Sequence, residues 1–109
     1  MTVDVYQRND LLIQRQIMDE TGAPVQLAGA FVAYVVEHFG VVVLRKSTAD
    51  GGIVVTDPAQ GRIEIQLSHD DTDLPSGDYR TELLVVDADG NRYTAAQGTL
   101  RVLTSLYGE

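Results

Sequence analysis

Four carboxylates crowd into the segment HDDTDLPSGD: Asp70, Asp71, Asp73 and Asp78. Oxygen-rich loops of this kind suit calcium, so a weak cation site is one reading of residues 70–78. The competing reading is structural, because Asp and Ser favour turns by bonding their own backbone. The stretch DADGN, Asp87 to Asn91, also begins like a calcium loop, but the later ligands and the terminal Glu are missing, which leaves a hairpin turn. Ser68, His69 and Asp70 stand side by side. A hydrolytic triad instead draws three side chains from separate segments that converge in space. His38 is the only other histidine and lies beside a turn, with no nucleophile elbow in the chain. Two His and no Cys are too few for a zinc site. Glu64 and Glu82 resemble an acid–base pair only in residue type, since carboxylates on the polar faces of strands are ordinarily just solvated. The residues thus nominate no catalytic group, no metal site and no cofactor.

Composition narrows the partners. The chain has 109 residues and a net charge of -8, from 16 acidic and 8 basic side chains. A single Lys and scattered Arg, with Arg45-Lys46 the one basic pair, give no phosphate-binding surface, so nucleic acid is excluded as a partner. No apolar run approaches the ~18 residues of a membrane span, and MTVDVYQRND has no basic region followed by an apolar one. The expectation is no membrane anchor and no signal peptide. Without cysteine there is no disulfide or thiolate chemistry, and folding suits a reducing cytosol. There is no Trp, and the two Phe and five Tyr are spread widely, which is a poor start for a sugar-binding platform.

The elements that must carry these residues read as strands. LLIQRQIMD, AFVAYVVEH, VVVLRKS, IVVTD, GRIEIQLS, DYRTELLVVD, RYTAAQ and GTLRVLT are apolar or alternating, with turn signals every 8–12 residues or so. Ile63, Ile65 and Leu67 fall on one face of their strand, with Arg62, Glu64 and Gln66 on the other. Helical period is weak, and only PAQGRIE and SHDDTDL could hold a turn of helix. The pattern predicts one all-β domain over residues 1–109, an antiparallel β-sandwich of about seven or eight strands, with the tail 104–109 frayed or bound to a partner. In LPSGDYRTELLVV, a Gly two residues before Tyr79 opens an alternating strand with Thr81, Leu83 and Val85. Immunoglobulin-like sandwiches place a Tyr there, bracing the corner through its hydroxyl. Thr81 stands where the disulfide Cys would be, so the resemblance is to cysteine-free members.

One strand breaks the pattern. In FVAYVVEHFG, Phe31, Ala33 and Val35 are apolar, and so are Val32, Tyr34 and Val36 between them. With Phe31, Ala33 and Val35 taken as the core face, Val32, Tyr34, Val36 and, on the next strand, Val43 form a second apolar face. Either another subunit covers that face or the chain's own loops, such as ETGAPVQLAGA, roof it. The first alternative makes these four residues a candidate protein interface.

The order of signals also resembles a family. YQRNDLLIQRQIMDETGAPVQLAGAFVAYVV, followed by VVTDPAQGRIEIQLSHDDTDLPSGDYRTELLVVDADGNRYTAAQGTLRV, is similar to the N-terminal β-sandwich domain of tailed-phage baseplate upper proteins and related tail proteins. The recurring pieces are Arg8-Asn9-Asp10, DETGAPVQL, Gly61, SGDYRTEL, and Gly98, Leu100 and Val102. The family usually shows Gly where Asn9 stands; Asn tolerates the left-handed conformation that such a turn requires. The family domain leads into a longer chain, whereas this sequence stops at Glu109 and begins at Met1, which favours a small stand-alone virion component. The resemblance implies a structural role without catalytic residues: an adaptor or assembly subunit of the phage particle, assembled in the host cytoplasm. Its partners would be other virion proteins and copies of itself. The alternative is a carbohydrate- or receptor-binding sandwich on a fibre.

Overall fold

A computed structural model describes residues 2–106. Eight strands form two sheets: β1 (Thr2–Tyr6), β2 (Leu11–Gln16), β3 (Phe31–His38), β4 (Val41–Ser47), β5 (Ile53–Asp57), β6 (Arg62–Leu67), β7 (Gly77–Val86) and β8 (Arg92–Leu103). The five-stranded sheet runs β1-β8-β7-β3-β4 and the three-stranded sheet β2-β6-β5. This is an immunoglobulin-like sandwich, with β4 added beside β3 on the larger sheet. The only helix among the described residues is a 3-10 turn, Pro58–Gln60. Asp57 caps it through Oδ1, and Gly61 ends it at φ 66.

β1 goes beyond the sequence expectation, which assigned no strand to TVDVY. It pairs with β8 in parallel, Thr2 beside Thr99 and Tyr6 beside Leu103. The segments RYTAAQ and GTLRVLT form a single strand, β8, whose register slips where Ala95 is inserted opposite Leu83 and Leu84. The tail expected to fray falls partly outside the described residues, at 107–109. Within them, the Ser105 N–H donates to Gln7 Oε1 at 3.3 Å, and Leu106 is fully exposed.

The core forms where alternating faces meet. Ile63, Ile65 and Leu67 from β6 pack toward Leu83, Val85 and Leu100 across the sandwich. Gly61 is needed for a further reason besides its positive φ. A Cβ there would lie 2.5 Å from the Ile17 carbonyl oxygen and 2.8 Å from that of Val25, so the strand start packs backbone against backbone. In the turn after β1 the left-handed residue is Arg8, at φ 63, rather than Asn9.

The two faces of β3 are the reverse of the sequence expectation. Val32 and Val36 are fully buried and Tyr34 nearly so, all three in the core, while Phe31 is 39% exposed and Val35 half-buried on the outside. The register explains it. Val32 lies opposite Val85, Tyr34 opposite Leu83 and Val36 opposite Thr81, and opposed residues of an antiparallel pair share a face. The regular alternation of β7 therefore sets the phase of β3. Val43 is the extra residue at a bulge, between Leu44 opposite Val36 and Val42 opposite Glu37, and is exposed on the sheet's edge strand.

Candidate interaction surface and the fate of the polar residues

The acidic segment turns once between β6 and β7, and its carboxylates diverge. Asp71 accepts the Ser68 N–H at 2.8 Å and pairs with Lys46 Nζ at 2.7 Å. Burial opposes ionisation of Asp71, but the Lys46 ammonium and Ser68 outweigh it and hold the carboxyl below the usual aspartate range. Asp73 faces Arg8 at 3.6 Å and Asp78 faces Arg101 at 3.2 Å, while Asp70 is open to solvent. Among the described residues no three metal-ligating side chains gather. The loop is fastened by Thr72, fully buried, whose hydroxyl donates to the Asn9 carbonyl at 2.7 Å.

The two histidines belong to different surroundings. His69 Nδ1 lies 3.1 Å from Asp10 Oδ1, which also accepts the His69 N–H at 2.7 Å. His69 Nε2 lies 4.0 Å from Asp70 Oδ1, but the Ser68 hydroxyl accepts the Asp71 N–H at 3.2 Å and takes no part in that pair. His38 stacks between Phe39 and Tyr79, with ring centroids 4.3 Å and 4.7 Å away. Glu64 and Glu82 lie on different sheets, each accepting from a glutamine: Gln14 at 3.2 Å and Gln97 at 3.0 Å. Among these residues no nucleophile, base and orienting group converge on one point.

Tyr79 does what its position suggested. Its ring is buried and its hydroxyl donates to the Pro75 carbonyl at 2.6 Å, closing the corner into β7. Nearby, Gln7 Nε2 donates to the Leu74 carbonyl at 2.9 Å, so the β1–β2 loop is tied to the same corner. Burial pushes the Tyr79 phenol up from its ordinary value. Burial does the same to Tyr34, offset by Thr81 and the Arg15 charge.

Part of the exposed apolar surface lies on the outer face of the five-stranded sheet, where Phe31 is exposed, Val35, Leu84 and Val86 are half-buried and Ala33 is buried. Phe31 sits opposite Val86, Ala33 opposite Leu84 and Val35 opposite Glu82, which puts Phe31, Ala33, Val35, Leu84 and Val86 on one continuous face. The polar border consists of the Glu82–Gln97 hydrogen bond and the Arg80–Glu37 ion pair at 3.1 Å. Beside this band, Val41, Val42 and Val43 of β4 are 63%, 37% and 39% exposed, and Phe39 at the hairpin tip is 92% exposed. Phe39 also holds φ 50, ahead of Gly40 at φ 82. An aromatic residue in the left-handed region is strained, and here it buries almost none of its ring within the domain.

Sequence reasoning located the doubly apolar strand but chose the wrong side as outward. The missed signal was Glu37, which continues the series Phe31, Ala33, Val35 and marks that phase as the solvent face.

Neither a protein-family model nor a curated protein matches the chain. Among solved structures it is similar to murine CRIg, with a TM-score of 0.44 and 19% identity, over 95% of this chain and 92% of that one.

Proposed function

We propose that this domain is a non-enzymatic structural protein of a tailed-phage virion, an adaptor or assembly subunit that works through protein–protein contacts. The observation that carries the reading is the apolar band of exposed Phe31 and part-exposed Val35, Leu84 and Val86, with Ala33 buried among them, on a sheet face over which no strand lies among the described residues. Contiguous apolar surface of several hundred Å² on a soluble domain ordinarily serves a contact. Fully burying side chains of this size contributes roughly 1.5–3 kcal/mol each, enough for a few of them to decide an association. The virion assignment draws on the order of the motifs from Arg8-Asn9-Asp10 to Val102. It makes other virion proteins and further copies of this chain the partners, and the phage particle the location.

The test is Phe31→Asp. Phe31 is 39% exposed, so a carboxylate there stays hydrated and the melting temperature should remain near that of wild type. Sedimentation should show loss of self-association or of binding to a structural protein encoded nearby. A variant that assembles like wild type would remove the sheet face from consideration.

A further inference from the structure

The edge of the sandwich at β8 and β2 carries a second feature, distinct from the outer face. β1 covers the edge of β8 only at Thr99–Leu103. Residues 92–97 pair with β7 on one side and, among the described residues, with no strand on the other. In the facing sheet β2 is likewise an edge, paired with β6 alone. Two edges without a strand partner among the described residues therefore flank one groove. A row of unpaired N–H and C=O groups is a template for an extended chain.

Ala96 lies opposite Leu83 and Gly98 opposite Thr81, so β8 turns small residues inward here. They leave an open cavity of about 190 Å³ between the sheets, lined by Ile13, Ile65, Leu83 and Tyr34, with Arg15 and Gln97 at its mouth. The Arg15 guanidinium donates to the Gln14 carbonyl at 2.8 Å. Next along β8 is a wider depression of about 640 Å³, where Met18, Val25, Tyr93 and Ala95 are bordered by Asp19 and Glu20. Met18 is 50% exposed and Tyr93 36%. Asp19 is held ionised by the Thr21 hydroxyl and the Ala23 N–H, and burial followed by the Asp87 charge raises the Tyr93 phenol, so with Glu20 this end is negative.

We propose that the free edge of β8 and the groove beneath it accept an extended strand of a partner protein. That strand carries an apolar side chain over Ala96 and, about four residues away on the same face, a Lys or Arg beside Asp19 and Glu20. The bare edges require extended backbone, the cavity requires an apolar side chain, and the acidic end selects a basic one. Asp19 and Glu20 at the acidic end make a second copy, with its net charge of -8, the poorer occupant of this groove, whereas the outer sheet face presents an apolar band to another copy.

The probe is a synthetic threonine peptide carrying one valine and, four residues on, one lysine, added to the isotope-labelled full chain. It should saturably shift the amides of residues 92–97 and of Met18 to Val25, weaken when Glu20→Lys reverses the charge, and fail against Ala96→Lys. Ala96 and Glu20 are both exposed, so neither variant threatens the fold. The same peptide tethered ahead of Met1 by a flexible Gly-Ser linker raises the local concentration. It should slow exchange of the amides pointing off the β8 edge by about tenfold. Tethered amides exchanging as in the unfused protein, or shifts confined to β4, would overturn the proposal. So would peptide-free dimerisation abolished by Ala96→Lys, which would make a second copy the occupant. None of these outcomes bears on the outer sheet face, whose test is Phe31→Asp.

Discussion

Replacing Tyr79 with Phe isolates one hydrogen bond from everything else at the corner. The ring remains, and with it the stacking on His38 at 4.7 Å and its place opposite Leu100 of β8. The lost contact is the 2.6 Å bond to the Pro75 carbonyl. Pro75 is exposed, so water can satisfy its oxygen in the variant and no orphaned acceptor adds to the loss. The cost should then be that of a single neutral hydrogen bond, about 1 kcal/mol. For a domain of this size that corresponds to about 4 °C in melting temperature, with the urea midpoint lowered at unchanged m-value. The phenol adds a second signature. Burial raises the folded-state pKa above the ordinary value of 10.0, so this contribution to stability is complete below pH 10 and is lost as pH rises through the folded value. Tyr79→Phe should therefore lose less stability than wild type above pH 10. An unchanged urea midpoint together with an unchanged alkaline limb would refute the bracing role.

Tyr34→Asp should unfold the monomer, because it exchanges a nearly buried aromatic for a carboxylate without a partner; loss of the ring alone costs about 3–5 kcal/mol. A cooperative melt near the wild-type temperature would contradict the inward placement of β3. Gly61→Ala combines φ 66 with a clash against two carbonyl oxygens and should cost about 1–3 kcal/mol or more, read by urea denaturation; a neutral result would mean that the β6 start is not pressed against Ile17 and Val25. Acid should destabilise the fold in a defined window. The carboxyls of Asp19, Asp50, Asp71 and Asp87 are all held below the ordinary value of 3.8, so the stability they confer is present above it and fades as pH falls through their folded values. A melting temperature flat from pH 5 to about 2 would count against these turn bonds.

The strands were legible wherever one face of the sequence was polar. β6 could be read residue by residue, and β7 gave both its alternation and its tyrosine corner. β3 could not be phased alone, since its inward and outward residues are both apolar; only pairing with β7 distinguishes them. β1 escaped because TVDVY buries little more than Val5, and its partner is nearly the whole chain away. The open groove beside β8 was likewise invisible, being a property of where β1 stops and not of any motif. Turn chemistry, by contrast, is local. Asp87 accepts from Asp89 and Asn91 as an Asp at such a turn should, and Gly90 has the positive φ that DADGN implied.

The parallel union of β1 and β8 has a kinetic meaning. The two strands adjoin only after everything between them has been laid down, so their contact requires closing the largest loop in the domain. Contacts of such long sequence separation tend to form late, after the hairpin β3–β4 and the β7–β8 ladder have condensed. β1 then contributes little to the rate-limiting barrier and much to the lifetime of the finished fold. Val5→Ala, which empties a buried site on β1, should accordingly leave the refolding rate almost unchanged and hasten unfolding, so that β1 acts as the latch on a sandwich already built.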